Sequence, residues 1–261
     1  MRTSTLPYAA RAAGLVGSVI DSSTSLLHKQ THDVVRFAMG SPATEAVPSK
    51  ILSGIAAIEL SKPDAYDYAA TEGDPPLHAA LLETLRDTSD ETTADRLTIT
   101  AGGMQGLDLF CKIFVDPGDL VTVESPTYTN GSATALSYGA TLLEIPVDDD
   151  GMDIDALERL VAETGRAPKA IYTIPTFQNP SSVTLSLERR LRLLELARGW
   201  DSMVIDDDPY GLCGSRVNHC RHCVSSVAAT RWCSRSARFP RSSRLDCESV
   251  GSTPSQSCSR C

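Results

Sequence analysis

Between residues 96 and 208 the chain alternates two hydrophobic periods. Short aliphatic and β-branched runs stand at "LTIT" (97–100), "LVTV" (120–123), "TLLEIPV" (141–147), "AIYTI" (170–174) and "MVI" (203–205). Each ends in turn-forming residues, which predicts five strands. Between them the period lengthens. Leu107, Phe110, Cys111 and Phe114 form one apolar stripe of a helix that Asp116-Pro117-Gly118 ends. In "LSLERRLRLLELARGW" Ser186 is placed to cap a helix, Glu188 to sit in its positive first turn, and Leu191, Leu194 and Leu196 to face inward. Upstream, a turn precedes an amphipathic helix from Pro76 to about Arg86, and residues 36–48 read as a loop broken by Gly and Pro. Strand, helix, strand in repetition predicts an α/β fold, a three-layer sandwich whose mainly parallel sheet is covered on both faces. Ligands of such sheets bind beyond the carboxyl ends of the strands.

The periodicity stops at Gly211. From Leu212 to Cys261 there are eight Arg, no Lys, two acidic residues, twelve Ser and seven of the eight Cys, a net +6 that leaves −15 for residues 1–211. With few apolar positions to bury, this tail is expected to be disordered. The chain thus divides into residues 1–60, an N-terminal arm with part of a small domain; 61–211, a partial ligand-binding large domain; and 212–261, an aberrant tail. A hydrophobic content of 41% over 261 residues suffices for a substantial core. The overall charge of −9 disfavours nucleic acid and anionic membrane as partners. No apolar run approaches the roughly 20 residues that span a bilayer. Arg11 interrupts any signal-peptide core, so the protein is expected to be cytoplasmic.

Four stretches place chemistry at strand ends. In "TITAGGMQGLDLF" a strand runs through Gly102-Gly103 into a helix, whose first-turn amides at Gly103 and Met104 could hold an anion or belong to an ordinary strand-to-helix turn. "VESPTY" sets the ring of Tyr128 at the sheet edge, where it could stack on a flat heteroaromatic ligand or simply pack. "IPTFQNPSS" offers Gln178 and Asn179, the latter held in direction by the following proline or serving only as a turn. "VIDDDPY" ends a buried strand in Asp206, Asp207 and Asp208 with Tyr210 beyond; a carboxylate buried there needs a cation, and a protonated ring nitrogen would serve.

In order and spacing these stretches, with "YAATEGDPPL" at 68–77, resemble the signature of fold-type I pyridoxal-phosphate enzymes. The likeness is to class I/II aminotransferases of the 2-aminoadipate and valine-pyruvate subgroup, which also supplies a domain of GntR-type regulators. It covers about Phe37 to Gly211 and implies the large domain of that fold, pyridoxal 5'-phosphate as cofactor, an amino acid and a 2-oxo acid as substrates, and a homodimer. It further implies that Gly103 and Met104 hold the phosphate and that Tyr128 stacks on the ring. Asn179 and Tyr210 would bond the ring hydroxyl, and Asp207 would pair with the ring nitrogen. Tyr68 would reach the neighbouring subunit's phosphate, and the loop at Gly40 would lie against the substrate carboxylate. Family members commonly carry Ser or Ala where Gly103 stands, so backbone contacts must suffice there.

The same resemblance requires a Schiff-base lysine in a Ser-x-x-Lys turn a few tens of residues past Tyr210. All five lysines, at 29, 50, 62, 112 and 169, precede that point, so no catalytic residue is assigned and the chain is expected to be inactive. A non-catalytic binding domain of a regulator and a degenerate gene product are the alternatives. For the tail, a zinc knuckle on Cys220 and Cys223, completed from Cys213, His219, His222 or Cys233, is the rival to no metal. A reading-frame shift at Gly211 accounts better for the loss of Lys and the gain of Ser, Arg and Cys. The nucleotides downstream of that codon should therefore encode a Ser-x-x-Lys segment in one of the other two frames; its absence from both would refute the shift.

Overall fold

The computed structural model describes residues 47–87 and 92–210, the backbone of Arg231–Cys233, and isolated positions 9, 30–32, 34 and 45. Helix α1 (Ser49–Leu60) comes first, followed by a 3-10 turn at Pro63–Tyr66 and helix α2 (Pro75–Asp87). Then follow α3 (Gly103–Phe114), β1 (Leu120–Ser125), α4 (Thr129–Ser137), β2 (Thr141–Asp148), β3 (Gly151–Met152), α5 (Ile154–Thr164), β4 (Ala170–Thr173), α6 (Leu187–Trp200), β5 (Met203–Asp206) and β6 (Arg231–Cys233).

The strands form one sheet in the order β3-β2-β1-β4-β5-β6. All pairings are parallel except that of the two-residue β3 with β2. Parallel strands need crossovers, and the helices that supply them cover both faces. On one face Leu107, Phe110 and Cys111 of α3 and Ala135 of α4 pack on Val121, Val123, Ala170, Tyr172, Met203 and Ile205. On the other, Ile154, Leu157 and Val161 of α5 and Leu193, Leu194, Leu196 and Ala197 of α6 pack on Ile145, Ile171 and Val204. This is the three-layer arrangement that the alternation predicts. Asp153 caps α5 by accepting from the Ala156 amide at 3.0 Å, and Ser186 caps α6 by accepting from Arg189 at 3.4 Å.

Two local expectations need correction. "LTIT" forms no strand: Thr98 makes a single bridge, and the Ile99 N–H donates to the Glu72 carbonyl at 3.3 Å. On α6 the inward stripe is Leu193, Leu194, Leu196 and Ala197, whereas Leu191 is 47% exposed. Of the tail, the structure describes Arg231–Cys233, which pair with Val204–Asp206; its remaining residues lie outside those described. Helix α1, which no periodicity announced, buries none of its side chains. Among the described residues no helix is long and apolar enough to cross a membrane.

Leu157 is wholly buried, so Leu157→Ala should lower the unfolding free energy by about 2–5 kcal/mol. Leu191→Ala should stay within about 0.5 kcal/mol. Denaturant titrations of the two variants check this, and equal losses would place Leu191 in the core after all.

Candidate functional site

Strand order reverses at β1: the chain leaves it for β2 on one side and returns to β4 on the other. A crevice opens there beyond the carboxyl ends. A cavity of about 320 Å³ fills it. Its walls are Gly103, Met104 and Leu107 from α3, Tyr128 from the β1–α4 turn, Tyr172 and Ile174 from β4 and its end, Asn179, and Ile205, Asp207, Pro209 and Tyr210 around the end of β5.

Each wall follows from local structure. Gly102 precedes α3 at φ +85°, a left-handed conformation that favours glycine, and no side chain caps the helix. The amides of Gly103 and Met104 therefore begin α3 without intrahelical partners, and both residues line the cavity. Along β5 the pleat turns successive side chains to opposite faces. Met203 and Ile205 belong to the α3–α4 face and Val204 to the α5–α6 face. Asp206 is thereby buried, at 4% exposure, under the α5–α6 side, while Asp207 lines the cavity. The Asp207 N–H donates to the Thr173 carbonyl at 3.0 Å, which extends the ladder to this residue. Its carboxylate accepts from the Tyr172 hydroxyl at 2.7 Å.

Beneath the cavity lies a buried carboxylate that no motif announced. Glu124 ends β1 at 2% exposure and accepts from Thr173 Oγ1 at 2.6 Å, the Ile174 amide at 3.2 Å and Gln178 Nε2 at 3.1 Å. Gln178 also donates to the Pro126 carbonyl at 2.7 Å and accepts from the Ser181 amide at 2.8 Å and the Ser181 hydroxyl at 2.6 Å. The Tyr128 turn and the Asn179 loop are thus tied together through one side chain. Arg190 braces the outer side of that loop by donating to Pro175 and Leu185 carbonyls and to Thr176 Oγ1. Both Ser125-Pro126 and Asn179-Pro180 peptides are cis. Burial raises the Glu124 pKa above its ordinary value, against the opposing donors.

Of the residues singled out in the sequence, Gly103, Met104, Tyr128, Asn179, Asp207 and Tyr210 line this one cavity. Tyr68 does not: it is wholly exposed. Gly40 lies outside the described residues. So do Cys213, His219, Cys220, His222 and Cys223 of the zinc reading and the side chain of Cys233. Among the described residues no group of three His, Cys, Asp or Glu is placed to hold a metal. Lys50, Lys62, Lys112 and Lys169 are all exposed and none lines the cavity. The sequence reading missed Tyr172, although the alternation of "AIYTI" already puts it on the face shared by Ile205 and Asp207.

The family model that matches is that of class I and II aminotransferases, over residues 32–225. An aromatic-amino-acid aminotransferase of Thermococcus litoralis is 39% identical over 211 residues, which cover 78% of this chain and 50% of that protein. Among solved structures, an archaeal alanine:glyoxylate aminotransferase superposes with a TM-score of 0.80 at 32% identity, covering 87% of this chain and 58% of that one. An α-aminoadipate aminotransferase from Thermus thermophilus, complexed with N-(5'-phosphopyridoxyl)-L-leucine, does so at 0.67 and 32% identity, covering 77% and 49%. The chain spans about half the length of the curated relatives it matches.

Because its pKa is raised, Glu124 keeps its proton in the folded chain at a pH where the unfolded chain has lost it. The stabilisation this supplies is complete below the unfolded value, near 4.5, and lost as pH rises through the folded one. Relative to Glu124→Gln, the unsubstituted chain should lose melting temperature progressively as pH is raised from 4.5. Parallel melting curves across that range would contradict the protonated state.

Proposed function

The chain belongs to the class I and II aminotransferases, and we propose that the cavity at the carboxyl edge of its sheet holds pyridoxal 5'-phosphate. One observation carries this reading: an uncapped helix start, an aromatic ring, an amide, a carboxylate and a phenol, drawn from four segments, line the same 320 Å³. That donor set matches a flat ligand with an anion at one end and a protonated ring nitrogen at the other. In this reading the Gly103 and Met104 amides hold the phosphate and Tyr128 stacks on the ring. Asn179 and Tyr210 bond the ring hydroxyl. Asp207 keeps the ring nitrogen protonated, because a nearby negative charge favours the cationic form. The bound cofactor supplies an electron-accepting conjugated ring.

The family reaction passes an amino group between an amino acid and a 2-oxo acid. We extend the proposal to the chain as it stands: with no lysine among the described cavity walls, residues 1–261 hold the cofactor by non-covalent contacts and do not turn over. Tyr68, fully exposed and not among the cavity walls, suits the second subunit's site in a homodimer.

The purified chain, mixed with pyridoxal 5'-phosphate, should show a bound-state visible spectrum that dialysis reverses, and borohydride should leave no stoichiometric lysine adduct. Asp207→Asn should weaken binding about tenfold or more, the scale of a lost hydrogen bond to a charged group. A stoichiometric adduct mapped to one lysine would overturn the non-covalent part, and absence of binding would overturn the cavity assignment.

A further inference from the structure

We propose that Tyr172, seated by the close approach of Gly131, positions the Asp207 carboxylate against the ring nitrogen of the bound cofactor. This rests on the cofactor reading above. Tyr172 is 2% exposed in β4, and its hydroxyl donates to Asp207 Oδ2 at 2.7 Å. Both residues line the cavity, and both stand on the sheet face that α3 and α4 cover. The hydroxyl keeps its proton at any ordinary pH, since burial first and the Asp207 charge second raise its pKa far above the usual tyrosine range. It is therefore a permanent donor and never a competing anion.

A donor to a carboxylate stabilises the ionised form. Asp207 facing a ring nitrogen can share one proton in two ways, carboxylate with pyridinium or carboxylic acid with neutral pyridine. The Tyr172 bond favours the first, and it fixes the plane in which the carboxylate is presented. Tyr172 thus acts on the cofactor through Asp207 and is a positioning residue.

Gly131 sets where the hydroxyl sits. It is buried in the first turn of α4, and a Cβ built there would lie 2.6 Å from the Tyr172 oxygen and 2.7 Å from its Cζ. Real Cβ atoms do not approach so closely. The Tyr172 backbone is held in the sheet and its ring is enclosed by Val123, Ala135, Ile205 and their neighbours. A methyl group at 131 must therefore displace the phenol end, which breaks the bond to Asp207.

The test uses the 261-residue chain and pyridoxamine 5'-phosphate, which needs no lysine to bind. Titration calorimetry gives affinity, and a ring-labelled probe reports nitrogen protonation through its 15N resonance. Y172F and G131A should each weaken binding about tenfold or more and move that resonance toward the unprotonated position. G131A should do little further in the Y172F background, because the contact it disturbs is already gone. A merely structural role for Tyr172 would lower the melting temperature and leave the 15N shift in place, and that result overturns the inference. So does a Y172F that binds as tightly as the unsubstituted chain with an unmoved resonance. Should Y172F fail to fold, G131A decides alone: a normal melt with weakened binding and a shifted resonance supports the inference, and unchanged values overturn it. An unsubstituted chain that binds no probe overturns the cofactor reading, and this inference with it.

Discussion

Parallel pairing of β1, β4 and β5 is the constraint on which the rest depends. A parallel strand cannot hand the chain to its neighbour through a tight turn; it must send it out over a face and back to the opposite edge. Every outgoing segment therefore starts at the same edge of the sheet. Tyr128, Asn179 and Asp207 are the first residues of such segments or lie close to them, so three positions spread over almost eighty residues converge without any direct sequence relation. The reversal of strand order at β1 leaves the gap they line.

Convergence alone would leave these groups on loose turns. What stiffens them is a pair of buried polar contacts on opposite faces of the sheet. On the α5–α6 side Glu124 gathers donors from Thr173, Ile174 and Gln178, and Gln178 in turn grips the Pro126 carbonyl. On the α3–α4 side Tyr172 grips Asp207. A buried polar group left without partners costs about 1–3 kcal/mol, so each network favours the single loop arrangement that satisfies it. Asp206 and Asp207 are adjacent in sequence and separated by the pleat, one serving each side.

The same pleat explains what could be read beforehand. Strong alternation and i, i+3, i+4 stripes announced four of the strands and helices α2, α3 and α6, and glycine, proline and the acidic run marked the strand ends where the cavity lies. Three things stayed hidden for physical reasons. In "LRLLELA" leucines occur on more than one side of the helix, so the buried stripe is set by packing against Ile171 and Val204 and not by the pattern. "LTIT" has strand composition, but its Ile99 amide is satisfied by Glu72, a partner far along the chain. Glu124 sits in an apolar run where a lone acid reads as a solvated position. Only the tertiary donors from β4 and its loop show that it is buried and bonded.

Strand β6 was hidden for a different reason. Without a neighbour the far side of β5 would be an open sheet edge, and such an edge accepts any extended segment through main-chain bonds alone. Pairing of that kind asks nothing of side-chain periodicity, so "RWC" within a stretch of serine and arginine meets it as well as an aliphatic run would. Asp207 is already held by Thr173 through its amide and by Tyr172 through its carboxylate, both from β4. The groups proposed to grip the cofactor ring therefore all precede residue 211 and are held by contacts within the described part of the chain.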